Sequence, residues 1–282
     1  MAKCAAYALI WGPTFNRHTL HLIDKLAGMG FDGIEIPLVT GILKDLPVSE
    51  MKRRLADTGL DAVFCTGLDE EQDLASASKE KRERGILHLK KCVETVKEFG
   101  GDILSGVTYG VWGGFSGFPP TEEELQRSAD CLCTVCEYAS ALGVDIAIEP
   151  INRFEGYLIA TAEEGLHYLE LVGCENSGLH LDTFQMNIEE NSLPAAIESV
   201  GKKLFHFHIC ASHRGVPGEG HIDWPAVFAS LREIGYSRWL TVESFSPDPG
   251  SQGSAAKVWR RLAASQDDIA LAGLNLVRRY LG

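Results

Sequence analysis

Short, nearly uninterrupted apolar runs alternate along the chain with longer stretches whose apolar residues recur every three to four positions. The first pattern predicts parallel strands buried on both faces, and the second predicts amphipathic helices. In seven places a glycine separates the two. They are Gly30-Phe-Asp-Gly-Ile-Glu35, Gly59-Leu-Asp-Ala-Val-Phe64, Gly100-Gly-Asp-Ile-Leu104, Gly143-Val-Asp-Ile-Ala-Ile-Glu149, Gly178-Leu-His-Leu-Asp182, Gly201-Lys-Lys-Leu-Phe-His-Phe-His208, and Gly235 leading to Trp239-Leu-Thr-Val-Glu243. Glycine lacks the Cβ that penalises a left-handed backbone, so it is the usual helix stop, and each of these is read as one. With an opening strand at residues 5–10, eight strands are predicted. Helices are predicted over residues 18–29, 49–58, 79–99, 121–142, 161–172, 192–200, 224–234 and 267–281. Two of them open on capping boxes, Thr121 with Glu124 and Thr161 with Glu164. Eight alternating units with no linker between them predict one domain over residues 1–282, an α/β protein built as a single (β/α)8 TIM barrel. The competing doubly wound sheet would carry a G-x-G-x-x-G after its first strand, and this chain has none there. The longest predicted strand-to-helix loops, 108–120, 210–223 and 244–254, belong to the C-terminal face, where such barrels place their active sites.

Composition changes this picture little. The chain has 282 residues, 45% of them hydrophobic, and a mean hydropathy of -0.02, ordinary for a domain with ample core. A net charge of -13 repels nucleic acid and anionic membrane, so neither is expected as a partner. No apolar run reaches the roughly 18–20 residues that span a bilayer, and the N-terminus enters a strand without a signal-like segment, so a cytoplasmic protein is expected. Eight cysteines are spread along the chain. The nearest to a motif, Cys131-x-Cys133-x-x-Cys136, reads as the interior of a helix with no second pair to complete a metal site, and is expected to be core.

Chemistry concentrates at the ends of four successive predicted strands, in Glu149, Asp182, His208 and Glu243, spaced 33, 26 and 35 residues apart. A lone carboxylate ending a strand is usually a cap or a surface charge. Four candidate ligands on adjacent strands of a closed barrel face one mouth, and three carboxylates with one imidazole suit Mn²⁺, Co²⁺ or Mg²⁺ better than structural zinc. His206 shares a strand face with His208 but lies deeper, so His208 is the expected ligand. A metal flanked by Glu149 and Glu243 can stabilise an enediolate while one glutamate removes a proton and the other returns one. That chemistry serves epimerisation next to a ketone, and with a different proton transfer it serves aldose–ketose isomerisation.

Several motifs together resemble the D-tagatose/D-psicose (allulose) 3-epimerases, which are ketose 3-epimerases among the xylose-isomerase-like barrels. They are Glu149-Pro-Ile-Asn-Arg-Phe-Glu155, Leu181-Asp-Thr-Phe-Gln-Met-Asn-Ile-Glu-Glu190, His206-Phe-His208, Arg214-Gly-x-Pro-Gly-x-Gly220 with Asp223-Trp224, Val242-Glu-Ser244, and Trp259-Arg260. The resemblance spans nearly the whole chain. It implies Glu149, Asp182, His208 and Glu243 as metal ligands and the two glutamates as the acid–base pair. It also implies Glu155 and Arg214 at the O1–O3 end of a sugar, and Tyr7, Gly67 and Trp112 on the pocket wall. Relatives commonly form dimers or tetramers, which implies a homodimer or homotetramer here. Two positions depart from the pattern. Gln185 stands where the family usually has histidine, and it can exchange hydrogen bonds with substrate but cannot become charged. Pro150 replaces a common valine.

Other residues carry plainer readings. Glu35 ends the second strand and either reaches the mouth or pairs with a buried cation. His18 and His21 are expected to face solvent, and His180 to lie inside the barrel. The expected function is thus a metal-dependent epimerase inverting C3 of a free ketose. An aldose–ketose or keto-acid isomerase of the same group is the alternative. A DNA-repair endonuclease is disfavoured by the acidic charge, and a silent sugar-binding barrel by the intact ligand set.

Overall fold

The structure, a computed structural model, describes residues 2–247 and 256–281. Eight parallel strands close into a barrel in chain order, each paired with its sequence neighbours and the last with the first. They are β1 (Lys3–Tyr7), β2 (Gly33–Pro37), β3 (Asp61–Leu68), β4 (Ile103–Val111), β5 (Asp145–Ile148), β6 (Ser177–Asp182), β7 (Leu204–Ile209) and β8 (Trp239–Val242). The main apolar core packs the strands against the surrounding helices. A second cluster, Ala5, Val63, Ile103, Ala147 and Phe205, lies apart from it. Ala5, Val63 and Ala147 precede Tyr7, Cys65 and Glu149 by two residues on the same strand faces, so small and apolar side chains floor the barrel beneath the polar mouth.

The helices with predicted counterparts are α1 (His21–Met29), α3 (Val48–Thr58), α4 (Lys79–Glu98), α5 (Glu122–Ala141), α6 (Ala162–Val172), α8 (Leu193–Val200), α9 (Trp224–Glu233) and a C-terminal helix, Gln266–Leu281. Both predicted capping boxes form, at Thr121 and Thr161. Two short helices, α2 (Thr40–Asp45) and α7 (Thr183–Glu189), have no counterpart in the sequence pattern because each is too brief to show a period.

Three expectations need correction. The first strand is not residues 5–10: it ends at Tyr7, and Ala8–Ile10 form a fully buried 3₁₀ turn, since a short apolar run has the same periodicity in either conformation. The first long helix begins three residues late, at His21. Gly178 is not a helix stop. The stop of α6 is Gly173, with φ +67°, whereas Gly178 lies within β6, where a Cβ would stand 2.4 Å from the Phe205 ring. That glycine is needed for close approach rather than for a left-handed backbone. The predicted 244–254 loop lies partly outside the described residues. On α5, Cys131 and Cys136 are buried as expected, while Cys133 is half-buried with its Sγ 3.3 Å from that of Cys174.

Candidate active site

The barrel mouth opens into a cavity of about 530 Å³, including space open to solvent. Nine of the ten predicted site residues line it: Tyr7, Gly67, Trp112, Glu149, Glu155, Gln185, His208, Arg214 and Glu243. The tenth, Asp182, is fully buried just behind. Glu149 and Glu243 each follow the last residue of a strand, and Asp182 pairs in register with His208 across β6 and β7.

Asp182 has two jobs that its position at a strand end allows. Its Oδ1 caps α7, accepting from the backbone N–H of Phe184 and of Gln185, the latter at 3.2 Å. Its Oδ2 is buried without a hydrogen-bond partner among the described residues. His208 Nδ1 is likewise buried with no hydrogen-bond partner among the described residues, 3.6 Å from Asp182 Oδ2 and 3.3 Å from Glu243 Oε1. Glu149, Asp182 and His208 each offer a ligand atom within 4.8 Å of the others. Unpaired buried polar atoms are costly, and two such atoms facing one point mark where a cation fits.

The electrostatics agree. Burial, followed by the charge of Glu243, pushes the Glu149 carboxyl well above the usual carboxylate range, and the same two causes raise Asp182. Burial opposes a charged His208, yet Glu35, Asp182 and Glu243 hold its imidazole well above the ordinary range. A site so crowded with negative charge holds protons unless a dication replaces them. Two other groupings of possible ligands are less suited. In the His180, His206 and His208 group, Glu35 occupies a nitrogen of the last two. In the Asp182, Cys210 and Glu243 group, burial pushes the Cys210 thiol far up.

Beside this cluster, Glu155 is a hub. Its Oε1 accepts from Arg214 Nη2 at 2.8 Å, and its Oε2 accepts from Trp112 Nε1 at 3.0 Å and Gln185 Nε2 at 3.3 Å. Burial works against its charge, but Arg214 first, then Trp112 and Gln185, keep it below the ordinary value. Arg214 also donates through Nη1 to Glu243 Oε2 at 2.9 Å, so one buried guanidinium spans both carboxylates. Phe184 and Phe245 hold that guanidinium at 3.9 and 4.7 Å from their ring centres. Its backbone is left-handed, φ 58°, and Ser244 Oγ donates to its carbonyl at 2.6 Å. The Gln185 carbonyl accepts from both the backbone and side-chain amides of Asn152, which fixes its NH₂ toward Glu155. His18 and His21 are exposed, and His180 lies inside the barrel.

Sequence reasoning missed Phe245, Cys65 and Asn152 around the cavity and left Glu35 undecided. Glu35 is fully buried and bonded to the imidazoles of His206 and His208, so it turns into the lumen rather than reaching the mouth. A carboxylate inside the apolar run Gly33-Ile-Glu-Ile-Pro37 was the available signal.

The chain matches the xylose isomerase-like TIM barrel family over residues 23–268. It is 35% identical to the L-ribulose 3-epimerase of Mesorhizobium japonicum across 100% of this chain and 94% of that protein. The crystal structure of a D-allulose 3-epimerase from Methylomonas sp. in complex with D-allulose superposes with a TM-score of 0.93 at 32% identity, covering 99% of this chain and 97% of that one. A D-psicose 3-epimerase from Clostridium cellulolyticum H10, solved with D-tagatose, gives 0.92 at 31% identity, with 99% of each chain covered. With a family match over most of its length and full-length relatives above 30% identity, the chain belongs to the ketose 3-epimerases of the xylose isomerase-like TIM barrels and is an isomerase of that type.

Proposed function

We propose that the protein inverts C3 of an unphosphorylated ketose, using a divalent cation held by Glu149, Asp182, His208 and Glu243. The observation that carries this reading is the pair of unpartnered buried atoms, Asp182 Oδ2 and His208 Nδ1, set between two glutamates that face one cavity. A bound Mn²⁺, Co²⁺ or Mg²⁺ supplies Lewis-acid stabilisation for negative charge on the substrate's oxygens. Mn²⁺ is our first choice, on the mixed imidazole and carboxylate donor set.

Glu149 and Glu243 leave from β5 and β8, which are not neighbours in the ring, and so approach a sugar from different sides. One carboxylate takes the C3 proton, the charge spreads onto the C2 oxygen as an enediolate, and the other glutamate returns a proton to the opposite face. Arg214 holds Glu243 through Oε2, which leaves its other oxygen toward the reacting centre. Glu155, fixed by Arg214, Trp112 and Gln185, orients substrate hydroxyls, while Tyr7, Gly67 and Trp112 shape the wall. Arg214 is the one lysine or arginine among the described lining residues and is already shared by two carboxylates, which favours a neutral sugar over a phosphorylated one. L-Ribulose, D-allulose and D-tagatose, the sugars named for relatives, are the first candidates. We assign a homodimer or homotetramer as the working assembly. Phe115, Phe118, Phe154 and Trp259, exposed on the described surface, support it.

The test is product analysis by NMR over a panel of free ketoses, with metal-free protein titrated with Mn²⁺, Co²⁺ and Mg²⁺. The C3 epimer, formed only with metal and without movement of the carbonyl, is expected. Carbonyl migration to C1, or equal turnover without metal, contradicts the reading.

A further inference from the structure

Glu35 stands in the middle of β2, fully buried between apolar neighbours. A carboxylate is kept in such a place only when donors satisfy its oxygens. Its side chain crosses the lumen to β7 and β8. Oε2 accepts from His206 Nε2 at 2.9 Å and from the Thr241 hydroxyl, and Oε1 accepts from His208 Nε2 at 3.0 Å. An ionised carboxylate can only accept, so both imidazoles must carry hydrogen on Nε2. That leaves Nδ1 as the His208 nitrogen able to offer a lone pair, and Nδ1 is the atom that faces Glu243 and Asp182. The His180 ring packs edge-on against His208, with centroids 4.0 Å apart, and restrains its rotation. Glu35 itself does not line the cavity, so it reaches the chemistry only through His208.

We propose that Glu35 is a positioning residue for the cation site: by accepting from Nε2 it fixes the tautomer and ring orientation that present His208 Nδ1 as the ligand. The proposal rests on the reading of His208 as a ligand. It assigns a function to a carboxylate that the two-glutamate mechanism does not use. Glutamine at position 35 has one acceptor oxygen and would set an NH₂ against one of the two Nε2–H groups, so it cannot satisfy both rings. Aspartate keeps both oxygens on a shorter stem. Thr241→Val removes one donor and leaves both imidazole bonds in place.

The test has two arms on the full chain. In the first, ¹⁵N NMR reads the histidine tautomers of the wild type loaded with a diamagnetic ion, Mg²⁺ or Zn²⁺. Hydrogen on Nε2 of His208 with none on Nδ1 is expected, and hydrogen on Nδ1 with none on Nε2 overturns the proposal, even if no variant at position 35 folds. In the second, Mn²⁺ binding is measured by calorimetry for wild type, Glu35→Gln, Glu35→Asp, Thr241→Val and His208→Gln. Loss of a partner of a ligating histidine typically weakens metal affinity by about 10–100-fold. A loss of that size is expected for Glu35→Gln, with partial recovery in Glu35→Asp and little change in Thr241→Val. The KM for the ketose at saturating Mn²⁺ should stay at the wild-type value. A folded Glu35→Gln protein that binds Mn²⁺ like the wild type, while His208→Gln does not, overturns the positioning role alone. If His208→Gln also binds Mn²⁺ like the wild type, the ligand reading fails and the proposal fails with it.

Discussion

The two halves of the barrel mouth are built from different materials. From β5 to β8, successive strand ends carry Glu149, Asp182, His208 and Glu243, with Arg214 and Glu155 beside them. From β1 to β4 the cavity is lined by Tyr7, Pro37, Cys65, Gly67 and Val107, and the carboxylate of β2, Glu35, turns away to brace β7. One half concentrates charge that must be matched and the other supplies shape. Substitutions in the charged half should therefore remove chemistry or unbalance buried charge, and substitutions in the apolar half should shift fit.

The largest effect is expected where charge meets the reacting carbon. Glu149→Gln and Glu243→Gln should each lower kcat by about 10²–10⁴-fold, the range of general acid–base catalysis, in steady-state assays with saturating Mn²⁺ on a ketose that the wild type turns over. Next comes Arg214→Met, which leaves Glu155 and Glu243 buried without their shared cation. Breaking such a buried pair costs about 3–5 kcal/mol of stability, to be read from urea unfolding of the metal-free protein. An unchanged midpoint would mean that the shared guanidinium does not hold the two carboxylates in the fold. Gln185→Leu sits at the border between the halves. It strips Asn152 and Glu155 of a partner, with a cost of about 1–3 kcal/mol for groups left unsatisfied. The expected readout is a changed ranking of kcat/KM over L-ribulose, D-allulose and D-tagatose, because Glu155 loses one of the bonds that orient it. The smallest effect belongs to the apolar wall. A Cβ at Gly67 would meet nothing nearer than Trp112 Cβ at 3.9 Å, so Gly67→Ala should change stability by no more than about 0.5 kcal/mol in thermal unfolding. A collapse of stability in that variant would show that the wall is as constrained as the charged rim.

The same division governs what the sequence discloses. The barrel was legible because its signals are local: a helix period, a glycine, an apolar run. Those signals failed where two conformations share a pattern, as at Ala8–Ile10, or where a glycine serves a neighbour in space, as Gly178 serves Phe205. The strand-end residues were legible as a group because strand spacing alone brings them to one rim. Glu35 was not, since its partners lie on β7 and β8, across the barrel and 171 to 206 positions along the chain. Gln185 was visible as a departure from the family pattern, but its commitment to Asn152 depends on how the loop after β5 folds back over α7. The capping of α7 by Asp182 Oδ1, which leaves only Oδ2 for a cation, likewise needs coordinates.

The central claim is that Glu149 and Glu243 exchange the proton at C3 of a ketose from two sides of one cation. It is tested most directly by following wash-in of deuterium at C3 from D₂O by NMR, with bound metal quantified in each sample. The account expects rapid exchange in the wild type and its loss in both Glu149→Gln and Glu243→Gln while metal is retained. Wild-type exchange at C3 in both metal-loaded variants would contradict it.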